Sequence, residues 1–243
     1  MRRIKFQWWV KNMFTFLGKH ATLFIIYWVF IIILLKLSGA TCLWFLGGIS
    51  PQNNSINLIA IIKWNLLIFP PIVTFIIYES KSKVGLGIWE MIRYGSLKRI
   101  WRKNIIVCIC INYLFFIIPV MFCLIIETKL VLCNLYFIIE IIVLLPIFTS
   151  TLTIICTNIA NLSNSYSLVI GVYIFFGGIT PIVLIAYPEC SKYIFTAFGM
   201  VLRTQDHYTQ GFQIGKAILV ILAANLLMSL VYLKVLNTEK VRR

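Results

Sequence analysis

Long apolar runs, separated by short polar or basic stretches, organise the whole 243-residue chain. A helix needs about 20 residues to cross the roughly 30 Å hydrocarbon core of a bilayer. Six runs approach or exceed that length: roughly 21–37, 58–78, 105–126, 130–156, 168–187 and 217–233. The third has no charged residue. The second carries Lys63 near one end and Pro70-Pro71 near the other, and the fourth carries Glu140 and Pro146 and is long enough to tilt. Pro70, Pro71, Pro119, Pro146 and Pro181 are the expected kink positions, because proline removes a helix hydrogen bond. No small-x-small cleavage site follows the first run, so it is expected to stay as an anchor. The pattern predicts an all-α polytopic membrane protein of six transmembrane helices, a single membrane domain over 1–243.

The stretches between runs have their own patterns. Residues 1–20 mix Trp8, Trp9 and Phe16 with lysines, which predicts an amphipathic interfacial helix ahead of the first span. In 79–104, Trp89 and Ile92, then Leu97 and Trp101, recur at helical spacing among Glu90, Arg93, Lys98, Arg99 and Arg102. Gly85 and Gly87 are expected to loosen its start and Gly95-Ser96 to break it, leaving a short, basic, amphipathic helix between spans two and three. Such an element suits docking of a soluble partner, and equally a lipid-facing loop that only sets topology. The Asn- and Ser-rich 158–167 reads as the turn between spans four and five. In 188–216 the aromatic middle, Tyr193 to Leu202, is too short to span and reads as a re-entrant or interfacial helix. Asp206 and His207 lie in that loop and read as loop polarity.

Composition agrees with the pattern. The chain is 61% hydrophobic and only 12% charged, with mean hydropathy +0.96, which excludes an ordinary soluble domain. The net charge of +15 would direct a soluble protein to nucleic acid; here its placement matters more, and no nucleic-acid partner is expected. The N-terminus, the loop after span two and the C-terminal tail together hold sixteen of the 22 basic residues. With six spans all three lie on one side, so both termini are expected in the cytoplasm of a cell membrane. The seven cysteines show no paired framework and read as small buried hydrophobes.

Motifs for chemistry are missing from the sequence. It has two histidines, His20 and His207, on opposite predicted sides, no HExxH and no GxSxG. The stretch Gly211-Phe-Gln-Ile-Gly215-Lys216 is one spacer short of a phosphate loop and is followed by Ala217; as GxxxG it suits a close helix contact. No enzyme site, metal site or cofactor is therefore expected in this chain. Glu140 is the one acidic residue deep in a span, and an ionisable group there is a candidate pathway or gating residue, or a partner for Lys63.

The six-span layout, the N-terminal segment Arg2–Lys19 and the stretch Glu90-Met-Ile-Arg93-Tyr-Gly95-Ser96-Leu-Lys98-Arg99-Ile-Trp101 resemble the permease subunits of ABC-2-type transporters. Within that class the chain is similar to small permeases of lantibiotic and bacteriocin export or immunity systems. The resemblance implies a cytoplasmic coupling helix around 86–100 that binds a dimer of separate ABC ATPase subunits, which hold the ATP and magnesium. It implies a second permease copy or a related permease subunit, and a hydrophobic or amphipathic peptide moved out of the bacterial cell or membrane. Glu90 and Arg93 would make polar contacts in the ATPase cleft, while Trp89, Ile92 and Trp101 anchor the helix and Lys98 adds to the contact. Competing readings are an accessory or sensory subunit without its own pathway, an intramembrane enzyme, or a proton-coupled carrier using Glu140.

Overall fold

The structure is a computed structural model of the chain. It describes the backbone of residues 2–51, 58–94, 97–126, 135–163 and 166–241, and the side chains of 18, 20–51, 58–79, 101–126, 135–160, 168–232 and 234. Every regular element among the described residues is helical: α1 (Arg2–Leu37), α2 (Cys42–Leu46), α3 (Leu58–Tyr94), α4 (Leu97–Ile126), α5 (Leu135–Ser163), α6 (Tyr166–Ile174), α7 (Thr180–Ala186) and α8 (Ile214–Val241). A π-helical turn, Phe175–Ile179, joins α6 to α7. Six segments are long and apolar enough to cross a membrane: His20–Leu37, Leu58–Glu79, Trp101–Ile126, Leu135–Ala160, Leu168–Ala186 and Ile214–Tyr232. These match the six expected runs, and the protein is a multi-pass membrane protein.

α5 is the axis of the bundle. Its span is 72% buried by the rest of the chain, against 11% for that of α8 and 22% for that of α1. Those outer helices turn apolar side chains such as Phe30, Leu219 and Leu226 outward, as lipid-facing helices do. The inner helix is polar where it packs. Thr149, Thr153 and Thr157 lie one turn apart, each buried and donating its hydroxyl to the carbonyl four residues back at 2.8, 2.7 and 2.9 Å. A hydroxyl satisfied within its own helix costs little in an apolar medium, and small side chains let neighbouring helices approach.

The prolines are built into the helices, and three of the carbonyls they release are taken up by neighbours. Pro119 has no N–H for the carbonyl of Phe115, and the Trp28 indole of α1 donates to that oxygen at 2.9 Å. Pro70 leaves the carbonyl of Leu66, which accepts from the Tyr27 hydroxyl at 2.7 Å. Pro181 leaves the carbonyl of Gly177, which accepts from Asn65 Nδ2 at 2.8 Å. Each pair ties two spans together at a point where the backbone would otherwise be unsatisfied in lipid.

Several expected boundaries are corrected. Residues 2–37 form one helix, with no turn between an interfacial segment and the first span; the Thr22 hydroxyl donates to Gly18 O across the expected junction at 3.3 Å. The segment after span two is not a separate short helix. α3 runs unbroken through Gly85 and Gly87 to Tyr94, while Gly95-Ser96 lies outside the described residues. α5 continues through Asn158 to Ser163, so most of the expected turn is helix. Asn158 is buried and accepts from the Trp101 indole at 3.4 Å, and this contact outweighs its loop-like composition. Cys42, Cys108, Cys123 and Cys156 are buried in the core, as small hydrophobes are.

Candidate functional site

The two ends of the bundle differ. At one end Trp101 of α4 meets Asn158 of α5 and Tyr232 of α8, whose ring centroid lies 6.2 Å from its own. Here Glu79, Trp101, Asn104, Thr157 and Asn158 border a cavity of about 10 Å³, enough for one water molecule. From this end α3 continues fifteen residues past its span to Tyr94, about 22 Å of helix at 1.5 Å per residue. α4 returns from Leu97. Trp89, Glu90, Ile92, Arg93 and Lys98 are on this helical excursion; their side chains lie outside the described residues. Trp101 is placed differently from an exposed anchor: its indole turns into the bundle, toward α5 and α8.

At the opposite end, 187–213 folds over the bundle. It forms three short 3-10 turns, Pro188–Lys192, Phe195–Gly199 and Val201–Arg203, rather than the expected re-entrant helix. Ala197, Met200, Val201 and Leu202 are the buried underside of this cap, which packs on α5. The cap is tied to the α2 segment by Leu202 N–H to Gly47 O at 3.0 Å. Gly48 closes α2 at φ +87°, a left-handed conformation open to glycine, with Met200 directly against it. Gly211 packs on the Arg203 and Thr204 backbone, and Gly215 has open space beside it, so the GxxxG spacing makes no helix–helix contact among the described residues of this chain.

Arg203 anchors the cap from inside. It is fully buried; its Nε donates to Ile49 O at 3.2 Å and its Nη1 to Ser191 Oγ at 2.9 Å. Burial pushes the guanidinium down to about 10, which leaves it charged at neutral pH. No carboxylate partner for it is seen among the described residues.

Glu140 of α5 meets this cap. It is 3% exposed, about 8 Å along the helix axis from the start of α5, and its Oε2 lies 2.9 Å from His207 Nε2. The Phe137 ring stands edge-on to the imidazole at 4.9 Å, and Tyr136 donates to Asp206 Oδ2 at 3.4 Å. Asp206 and His207 are therefore more than loop polarity, because a further acid joins them. Lys63, the other partner considered for Glu140, instead donates to Trp44 O at 2.7 Å. The pair can hold and exchange a proton; among the described residues no three His, Cys, Asp or Glu side chains gather to hold a metal.

A third polar cluster lies within the spans. Asn65 of α3 bridges Gly177 O and the Tyr173 hydroxyl of α6, beside the π-helical turn. Sequence reading missed it, since a lone Asn and Tyr 108 residues apart give no local pattern.

Compared with known protein families, curated proteins and solved structures, the chain matches none. The functional reading thus rests on the two bundle ends and on the sequence between them.

Proposed function

We propose that this chain is the membrane-spanning subunit of an ATP-driven exporter, resembling ABC-2-type permeases. In this reading it moves a hydrophobic or amphipathic peptide out of the cell or membrane, with a separate ATPase dimer supplying ATP, magnesium and work. The observation that carries the reading is the helical excursion of α3 and α4 beyond the spans, in a stretch of basic sequence. It extends past the apolar spans as helix continuous with two of them, and bears Glu90, Arg93, Lys98 and Arg99. A partner pressing on it moves spans two and three as levers. Charge bias puts this end in the cytoplasm, where ATP is available. A second permease copy or related subunit completes the pathway.

The test is ATP hydrolysis by the ATPase that copurifies with the chain in lipid discs. Glu90→Lys and Arg93→Glu should each lower transport at least tenfold while the six spans still insert. Copurification with no ATPase, or full transport by both variants, refutes the reading in favour of an accessory subunit.

The Glu140–His207 contact gives one specific observation for a proton-coupled carrier. Transport by Glu140→Gln that persists and still requires ATP dismisses that alternative.

A further inference from the structure

The cap 187–213 is fastened by contacts of two kinds. Leu202 N–H to Gly47 O, Arg203 to Ile49 O and the Thr180–Thr196 hydroxyl pair at 2.6 Å keep their charge state across ordinary pH. The contact between His207 and Glu140 joins two groups that exchange protons with water. We propose that Glu140 and His207 form a proton-operated latch, which fastens the cap to α5 in mildly acidic medium and loosens it in mildly alkaline medium.

The geometry sets the sign. Glu140 is almost wholly buried, with one oxygen on His207 and Oε1 without a hydrogen-bond partner. A buried carboxylate is costly unless an opposite charge faces it. An imidazole that carries a proton supplies that charge at 2.9 Å, and the pair holding one proton is neutral overall. Without the proton the pair carries an uncompensated anion, and the nearby Asp206 carboxylate adds a second negative charge. The closed contact is thus favoured when the pair holds one proton, so closure is favoured as pH falls until the released carboxylate itself protonates. His207 keeps 28% of its side chain exposed, so the proton has a path to solvent.

The surroundings add few other charges. α5 contributes Tyr136 and Glu140, and the cap contributes Asp206 and His207, while its buried Arg203 is turned to Ile49 O and Ser191 Oγ. The charged residues of α4 are all at its far end, Lys98 to Lys103, and α6 and α7 carry none. Lys216 of α8 is exposed in its first turn, and Lys63 of α3 is held by Trp44 O. Histidine is the side chain whose charge ordinarily changes between pH 5 and 8, which makes the latch responsive to the medium on the cap side.

Hydrogen exchange read by mass spectrometry on the full chain in lipid discs tests this without ATPase or transported substrate. After correction for the intrinsic pH dependence, peptides covering 199–213 should be about tenfold more protected near pH 5.5 than near pH 8.5. Peptides within 141–157 serve as the unchanged reference. His207→Gln should be weakly protected at both pH values and His207→Arg strongly protected at both, each without a pH step. Equal protection of the wild type at the two pH values overturns the latch. So does a pH step that survives in His207→Arg, the variant that keeps the cation and decides the matter if His207→Gln does not fold.

Discussion

Substituting Trp28 by Phe separates the packing of the indole from its hydrogen bond. Trp28 is fully buried, and its Nε1 donates at 2.9 Å to the Phe115 carbonyl, which Pro119 leaves without a backbone donor. Trp28→Phe removes the donor and part of the ring volume. An unsatisfied buried carbonyl costs about 1–3 kcal/mol, and the smaller ring adds a packing loss. Pro119→Ala gives position 119 an N–H that bonds the same carbonyl along the helix. In that background Trp28→Phe should cost only the packing loss. A double-mutant cycle should therefore give a coupling of about 1 kcal/mol, within the range for interhelical bonds in membranes. Reversible unfolding of the four proteins in mixed micelles measures it. Additive effects, within about 0.3 kcal/mol, would refute the view that this tryptophan caps a proline-released carbonyl.

Other perturbations follow from the same contacts. Asn65→Leu should destabilise by about 2 kcal/mol in the same unfolding assay, because Gly177 O and the Tyr173 hydroxyl both lose their partner within the spans. Gly211→Ala places a Cβ 2.3 Å from Arg203 O, so backbone must move; a cost of about 2 kcal/mol and faster proteolysis of 199–213 are expected. Arg203→Met should be tolerated better than Arg203→Ala when melting temperatures are compared, since Met fills the volume and removes a buried charge with no acidic partner among the described residues.

The spans were legible because an apolar run of about 20 residues has few other uses, and all six fall where the runs lie. What ties the spans together was not legible. Tyr27–Leu66, Trp28–Phe115 and Asn65–Gly177 are separated by 39, 87 and 112 residues, and nothing local to either partner announces the other. The prolines stood out as kink positions, and the helices run through Pro70, Pro71, Pro119 and Pro146. Glu140 stood out as an ionisable group in a span, but its partner is 67 residues away on a loop whose polarity looked ordinary. Asn158 looked like part of a turn; burial beside Trp101 keeps it in helix. Composition records average preference, and a buried partner overrides it at single positions.

In the proposed function the helical excursion after the second span receives work from a nucleotide-hydrolysing partner. Photo-crosslinking from position 92, with a benzoylphenylalanine in place of Ile92, tests it in native membranes. One dominant adduct with a cytoplasmic ATPase is expected, lost when Arg93 is changed to Glu. Labelling of this position from outside the cell, or transport by a complex in which it crosslinks only to lipid, would contradict it.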